Sequence, residues 1–250
     1  MKIKFILNKI CNICKKLDGW IMALLYPPRC PLCDEVAAEG FPICPGCRKN
    51  IRVVREPVCK KCGKPLSHSR KEFCLDCMDG KHSFTQGKAL WVYEKHVKES
   101  VYRFKYQGRR DYGKVYAQEM AETYGAWIRA RHIQAIAPIP LYPGKKKRRG
   151  FNQAEEVARE LGRILDIPVR KNLLVRTRDT RPQKELNVAE RKNNLKKSFK
   201  TTENVVQLEY ILIIDDIFTT GSTMDAASLV LKGAGAGKIY FCCIGIGTDF

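Results

Sequence analysis

The fold of this 250-residue chain is decided by the stretch Ile211-Leu-Ile-Ile-Asp215-Asp216-Ile-Phe-Thr219-Thr220-Gly221-Ser222-Thr223. Its first four residues are apolar and mostly β-branched, which is typical of a strand buried in a parallel sheet. Two aspartates follow at the carboxyl end of that strand, where open α/β sheets bind their ligands. Apolar residues recur with helical spacing after Thr223. The stretch therefore predicts a strand, a turn and a helix.

The turn in this stretch has the composition of a phosphate-binding loop. A helix N-terminus presents unpaired N–H groups and a partial positive charge, and both suit a phosphate. Hydroxyl side chains add donors, and Gly221 permits close approach of the backbone. Asp215 and Asp216 would accept hydrogen bonds from sugar hydroxyls, so the implied ligand is a sugar phosphate. The alternative is a core strand that ends in a solvated aspartate pair without a ligand.

A known signature has the same pattern. The stretch resembles the phosphoribosyl-diphosphate (PRPP) binding signature of type I phosphoribosyltransferases. The resemblance implies that the PRPP-binding residues here are Asp215, Asp216, Thr219, Thr220, Gly221, Ser222 and Thr223.

A P-loop ATPase is the competing interpretation of the same strand. The nearest partner motif is Gly108-Arg-Arg-Asp-Tyr-Gly113-Lys114-Val115. A P-loop needs Ser or Thr after its lysine to hold Mg²⁺, and a strand before its first glycine. Val115 follows the lysine, and the residues before Gly108 have helical spacing. The sequence therefore argues against an ATPase.

The composition indicates a globular protein with phosphate-rich partners. The formal net charge is +20, hydrophobic residues make up 44% and charged residues 29%. Such a charge favours nucleic acid or polyphosphorylated ligands, and the alternative is a basic surface without such a partner. No run of about 18 apolar residues occurs, so no segment is expected to span a membrane. No secretory signal is visible, and we expect a cytoplasmic protein.

Residues 1–28 have the pattern of an amphipathic helix. Apolar residues recur every three or four positions between Ile6 and Leu24, and Pro27-Pro28 ends the pattern. We expect this helix to dock on the protein body or on a partner. Peripheral contact with a membrane surface stays open as an alternative. The pair Cys11 and Cys14 on this helix has no second pair to complete a metal site, and we interpret it as incidental.

Residues 29–80 are predicted to form a double zinc ribbon. Each C-x-x-C turn directs two thiolates at one ion, and two turns complete a tetrahedron. The predicted zinc ligands are Cys30, Cys33, Cys44, Cys47, Cys59, Cys62, Cys74 and Cys77. They form two structural Zn²⁺ sites, with sequential pairing expected and crossed pairing left open. A disulfide framework or an iron–sulfur site is the alternative. His68 and His82 flank the last pairs as substitute ligands, and a chelator is expected to unfold only the ribbon region.

Residues 88–250 are predicted to form one α/β domain. The predicted strands are Lys88–Tyr93, Ile133–Pro140, Ile211–Asp215 and Lys238–Gly245. Helical patterns separate them, including Val97–Tyr106, a helix with Tyr116 and Ile128 on one face, and a helix from Ala154 to Leu165. Alternating strands and helices indicate a parallel sheet.

The basic run Lys145–Arg149 leads into a second family pattern. It follows the strand Ile133–Pro140, which places it at the ligand-binding edge, and we expect a loop there. The run continues as Gly150-Phe151-Asn152-Gln153, and the resulting Arg-Gly-Phe-Asn-Gln element resembles the ComF family, as does the opening Pro-Pro-Arg-Cys-Pro-Leu-Cys of the ribbon. The further matching residues are Arg176, Arg178, Thr180, Gln183, Leu186, Arg191, Asn194 and Phe199.

The resemblance implies a type I phosphoribosyltransferase-like parallel sheet with helices on both faces, and a role with single-stranded DNA in natural transformation. Competence helicase or DNA-processing proteins are the further partners considered. For catalysis, we expect Asp215 and Asp216 to stabilise an oxocarbenium-like transition state at the anomeric carbon of PRPP, while Mg²⁺ clamps the diphosphate. The remaining expected PRPP contacts are Arg148, Arg149, Asn152, Gln153 and Arg191. A non-catalytic DNA adaptor and a nucleotide-salvage phosphoribosyltransferase are the alternatives.

Overall fold

A computed structural model describes residues 27–38, 40–80, 82–177, 198–203 and 205–248 of the chain. Of the predicted N-terminal helix, residues 1–26 lie outside these ranges. The predicted PRPP contact Arg191 also lies outside them. The chain divides into two units, Met1–Asn50 and Ile51–Phe250. Among the described residues, no helix is long and apolar enough to cross a membrane.

The described part of the first unit is one zinc-ribbon fragment. An antiparallel bridge joins Arg29 to Val36, and the turn between them is closed by the Asp34 amide, which donates to the Cys30 carbonyl at 2.8 Å. A short helix, α1 (Pro45–Asn50), follows Cys44. The turn at Cys30 and the start of α1 bring the first two cysteine pairs together.

The second ribbon fragment belongs to the unit Ile51–Phe250. A bridge joins Val58 to Pro65. Helix α2 (Leu75–Met78) contains Cys77, and Cys74 is its N-cap residue. All four cysteines of this fragment are buried and share one apolar cluster with residues of the sheet. The division between the units therefore falls between the two ribbon fragments. The limits 29–80 and 88–250 for the ribbon module and the α/β domain stay a prediction.

The centre of the second unit is a four-stranded parallel sheet, as predicted. The strands in chain order are β1 (Gln86–Val92), β2 (Ala135–Pro138), β3 (Val175–Arg176), β4 (Phe199–Lys200), β5 (Tyr210–Phe218) and β6 (Lys238–Ile246). The sheet order is β1-β6-β5-β2, and β3 and β4 form a separate antiparallel pair. β5 and β6 are the two inner strands of the sheet. Their residues are almost continuously apolar, which is typical of strands covered on both faces.

Helices cover both faces of this sheet. They are α3 (Lys95–Tyr106), α4 (Tyr112–Arg129), α6 (Gln153–Leu165) and α7 (Ser222–Gly233), whereas the short helix α5 (Pro143–Arg149) buries no residue. Ile136 of β2 lies beneath α6, and Tyr240 of β6 contacts Trp127 of α4. The next residues along these strands point to the opposite face, where Phe241 shares the apolar cluster with α7 and the second ribbon fragment.

Two of the differences from the predicted pattern bear on the candidate site. The Lys145–Arg149 run forms the helix α5 rather than a loop, because Pro143 starts the helix, Lys and Arg propagate it, and Gly150 ends it at φ 80°. Strand β5 continues to Phe218 instead of ending at Asp215. One edge of β5 pairs with β6 up to Ile246, while β2 on the other edge stops at Pro138 opposite Ile214. The last residues of β5 therefore have an open edge, and the candidate site lies there.

Candidate functional site

A cavity of about 340 Å³ lies at the carboxyl end of β5 and is called the β5 pocket below. Its lining residues are Tyr93, Lys105, Ile139, Leu141, Lys145, Arg149, Asn152, Ala154, Arg176, Asp215, Asp216, Ile217, Thr219 and Thr223. Five different segments of the chain therefore meet in one cavity: the end of β1, α3, the region from β2 to α6, β3, and the stretch from β5 to α7.

The two aspartates of β5 have different surroundings. Asp215 is half-buried, and one of its carboxyl oxygens accepts a hydrogen bond from the Asp216 amide at 2.8 Å. Burial, together with the neighbouring Asp216 carboxylate, raises the pKa of Asp215 to about 7. Lys105 and Arg176 oppose this rise. Asp215 is therefore held close to its titration point at neutral pH, and a bound cation or a hydrogen-bond donor would favour its ionised form.

Lys105 is a pocket residue that the sequence analysis missed. Its ammonium lies 2.8 Å from the Asp216 carboxylate, and both side chains are only 17% exposed. Burial opposes the charge of Lys105, but the Asp216 and Asp215 carboxylates outweigh it and raise the pKa of Lys105. The lysine therefore stays charged in the pocket. It sits on the last turn of α3, and nothing in the one-dimensional pattern separates it from the other surface lysines.

The turn Thr219–Thr223 joins β5 to α7, as the sequence predicts. Gly221 caps α7 with φ 82°, a left-handed conformation that favours glycine. Thr219 and Thr223 line the pocket. Thr220 is exposed, and its hydroxyl lies 3.0 Å from that of Ser222. The turn therefore directs part of the predicted hydroxyl set at the β5 pocket and starts a twelve-residue helix there.

A buried histidine–aspartate pair packs against this turn. His82 Nδ1 lies 2.6 Å from Asp225 on the first turn of α7, and the Ser83 amide donates to the other oxygen of that carboxylate at 2.7 Å. A Cβ atom on Gly221 would lie 2.8 Å from the His82 ring. His82, considered as a substitute zinc ligand, therefore contacts α7 instead. The sequence contains no local pattern that predicts this contact, because Ser83 and Asp225 are 142 positions apart.

The predicted basic and amide contacts divide into two groups. Arg149 and Asn152 line the pocket, while Arg148 is exposed and outside the lining. Gln153 is buried and accepts a hydrogen bond from Arg149 Nη1 at 3.0 Å, so it holds the arginine rather than facing the cavity. Asn152 caps α6 and donates to the Ile139 carbonyl at 3.0 Å.

Two further cations line the pocket. Lys145 extends from α5, and Arg176 comes from β3, beside the segment 178–197 that lies outside the described residues. Arg176 belongs to the residues that resemble the ComF pattern, so that pattern offered a signal for its place in the site. With Lys105 and Arg149, the pocket holds four basic side chains against two carboxylates. This balance suits a ligand with several negative charges.

The eight predicted zinc ligands form two clusters. Cys30, Cys33, Cys44 and Cys47 form one, and Cys59, Cys62, Cys74 and Cys77 form the other, with the sulfurs of each set within 4.8 Å of one another. This grouping corresponds to sequential pairing. Tetrahedral Zn–S bonds of about 2.3 Å separate neighbouring sulfurs by about 3.8 Å. The Cys33–Cys44 sulfurs are 3.8 Å apart and the Cys62–Cys74 sulfurs 3.5 Å apart. Both clusters fit a structural Zn²⁺ ion.

Comparison with known proteins finds a family model, several relatives and a solved structure that are similar to parts of this chain. A family model described as a double zinc ribbon domain matches residues 21–78. DNA utilization protein YhgH of Escherichia coli is 29% identical over 226 residues, which cover 88% of this chain and 98% of that protein. A solved structure of adenine phosphoribosyltransferase from Leishmania tarentolae matches with a TM-score of 0.32 at 11% identity, over 53% of this chain and 72% of that one.

Two relatives are named for competence. Competence protein ComFC of Bacillus subtilis is 27% identical over 211 residues, covering 81% of this chain and 83% of the relative. Competence protein F of Haemophilus influenzae is 30% identical over 210 residues, covering 82% of this chain and 90% of the relative. The chain belongs to the ComF family, to which the Arg-Gly-Phe-Asn-Gln element and the paired cysteines pointed.

Proposed function

We propose that this protein binds PRPP or a related sugar phosphate in the β5 pocket. The observation that carries the proposal is the convergence of Asp215, Asp216, Thr219 and Thr223 with four basic side chains in one cavity. The carboxylates are placed to accept hydrogen bonds from ribose hydroxyls. The turn and the N-terminus of α7 suit the 5′-phosphate, and Lys105, Lys145, Arg149 and Arg176 suit the diphosphate.

The same residues support transfer chemistry at the anomeric carbon. As the bond to the diphosphate breaks, positive charge develops on the ribose ring, and the two carboxylates would stabilise it in a cavity partly shielded from water. The basic side chains would stabilise the negative charge on the leaving group. Mg²⁺ fits this site because carboxylate and diphosphate oxygens are its preferred ligands, and it would neutralise the diphosphate.

We also propose a role with incoming single-stranded DNA in the cytoplasm during natural transformation. The names of the relatives support it, since they refer to competence and to DNA utilization. The net charge of +20 and the exposed basic helix α5 supply the electrostatic attraction that nucleic acid requires. Competence helicases and other DNA-processing proteins are the protein partners that this role suggests. The same charge favours the second candidate, an adaptor that binds PRPP without turnover.

Calorimetric titration with PRPP and Mg²⁺ tests the proposal. Replacing Asp215 and Asp216 together by Asn should weaken binding by about 1–3 kcal/mol per lost charge-assisted hydrogen bond. The matched control is Asp111→Asn with Asp166→Asn, because both aspartates are exposed, lie outside the pocket lining and change the net charge equally. The control should bind PRPP like the parent. Equal affinity in all three proteins would exclude the carboxylates as ribose contacts, and release of diphosphate in the presence of a nucleobase would distinguish a transferase from an adaptor.

A further inference from the structure

Two exposed tyrosines stand on the outer side of α3, next to the β5 pocket. Tyr102 and Tyr106 are 56% and 52% exposed, although α3 buries Val97, Val101 and Phe104 on its inner side. The two tyrosine rings are one helical turn apart, with their centroids separated by 5.0 Å. They line a groove of about 550 Å³, called the tyrosine groove below. Such large exposed aromatic rings on one helical stripe are typical of a binding surface.

The tyrosine groove is continuous with the β5 pocket. Tyr93 and Lys105 line both cavities. Arg149, which lines the pocket, donates a hydrogen bond to the Tyr106 hydroxyl at 3.0 Å, and its guanidinium lies 4.8 Å from the centroid of the Tyr106 ring. A ligand that follows this path therefore passes from exposed aromatic rings to a cluster of cations without leaving the protein surface.

The charges of the groove select an anionic ligand. Three basic side chains, Lys98, Arg103 and Lys105, line it with one carboxylate, Glu99, and Lys105 is also paired with Asp216 of the β5 pocket. Alternation of aromatic rings with cations matches single-stranded nucleic acid, whose bases stack on the rings while its phosphates contact the cations. Duplex DNA keeps its bases paired and stacked inside the helix, so it cannot use the rings in this way. An acidic peptide would use the cations but would gain no stacking.

We propose that the tyrosine groove is a single-strand binding site, in which bases stack on Tyr102 and Tyr106 and the phosphate backbone runs toward Lys105 and Arg149. This inference rests on the proposed function, because it locates the single strand which that function requires. The proposal places the single-stranded nucleic acid beside the β5 pocket, in the unit Ile51–Phe250. The ribbon of the first unit, with its exposed Phe41, is the alternative aromatic contact.

Fluorescence anisotropy with the full-length protein and two labelled probes tests the site. The first probe is a thymidine oligonucleotide, and the second is an abasic oligomer of the same length and charge. The parent should bind the thymidine probe more tightly, because only that probe stacks. Tyr102→Ala should weaken binding to the thymidine probe about fivefold or more and leave the abasic probe unchanged. Tyr102→Phe keeps the ring and should bind like the parent.

Phe41→Ala is the matched control, since it removes an equally exposed ring from the other unit. It should leave both affinities unchanged, and circular dichroism would verify that every variant is folded. Unchanged binding of the thymidine probe to folded Tyr102→Ala would overturn the site, and so would a loss in Phe41→Ala as large as that in Tyr102→Ala. A parent protein that binds neither probe would instead remove the proposed DNA role, while calorimetry with PRPP reports separately on the β5 pocket.

Discussion

At the scale of single residues, the β5 pocket depends on how burial changes neighbouring charges. Asp215 and Asp216 are adjacent in sequence, yet only Asp216 pairs directly with an ammonium group, that of Lys105. Asp215 lies opposite Cys243 of β6 in the sheet, and burial there, together with the Asp216 carboxylate, raises its pKa to about 7. Ionising Asp215 therefore costs free energy in the folded protein, and a bound cation or hydrogen-bond donor would offset that cost.

This cost predicts a pH dependence of stability. Between the ordinary carboxyl pKa of 3.8 and the folded value of about 7, the folded state holds a proton that the unfolded chain has lost. The contribution of Asp215 to the free energy of unfolding should therefore fall as pH rises through this window, by at most about 1.4 kcal/mol per pH unit. Urea unfolding of the parent and of Asp215→Asn at pH 4, 5.5, 7 and 8 measures it. The difference in unfolding free energy between the two proteins should shift in favour of the variant from pH 4 to pH 7 and level off above pH 7. A constant difference would contradict the raised pKa.

At the scale of elements, the geometry of the turn Thr219–Thr223 depends on packing from outside β5 and α7. The His82–Asp225 pair ties the segment before β1 to the first turn of α7. The His82 ring stacks on Phe84 and lies against Gly221. Because the ring fills the space where a side chain at position 221 would extend, glycine is required there for two independent reasons, its φ of 82° and the lack of room.

The two reasons can be separated by substitution. Gly108 has φ 69° and no atom within 4 Å of a built Cβ, so Gly108→Ala measures the conformational cost alone, about 1–2 kcal/mol. Gly221→Ala should cost about 1–3 kcal/mol more in urea unfolding, because its Cβ also collides with His82. Adding His82→Ala should recover part of this excess. If Gly221→Ala cost no more than Gly108→Ala, the histidine would not restrict the turn.

At the scale of the whole molecule, the two zinc clusters have different structural roles. In the first cluster Cys33 is exposed, and Cys44 and Cys47 are half-buried. The second cluster is buried and shares its apolar surroundings with Phe84, Ile213 and other residues of the sheet and α7. This changes the expectation that a chelator unfolds only the ribbon region, because the second ion would be part of the core of the unit Ile51–Phe250.

Serine substitutions distinguish the two sites. Cys30→Ser and Cys59→Ser should each lower the zinc content from two ions to one by elemental analysis. Only Cys59→Ser should destabilise the sheet, by about 4 kcal/mol or more, because it removes a metal ligand from the core. Near-ultraviolet circular dichroism of Trp91 and Trp127, both in the second unit, follows that loss during thermal unfolding. Equal unfolding temperatures for the two variants would show that the second cluster does not support the sheet.

The sequence by itself determined the parallel sheet, the two cysteine clusters and the turn at the end of β5. These features depend on local patterns. Strand and helix periodicity, C-x-x-C spacing and a strand–turn–helix signature each occur within a short segment of the chain. The boundaries of strands were less accurate, since the end of β5 depends on how far β6 continues beside it. The helical state of Lys145–Arg149 was missed because a run of like charges also suits a loop.

Only the tertiary structure decided which side chains complete the site. Lys105, His82 and Asp225 reach the region of the turn from α3, from the segment before β1 and from α7. The second ribbon fragment joins the core of the sheet in the same way. Such contacts join residues more than one hundred positions apart, and they follow from the sheet order β1-β6-β5-β2 and the packing on its two faces. No short window of sequence contains that information, because burial and pairing between distant segments exist only once the chain is folded.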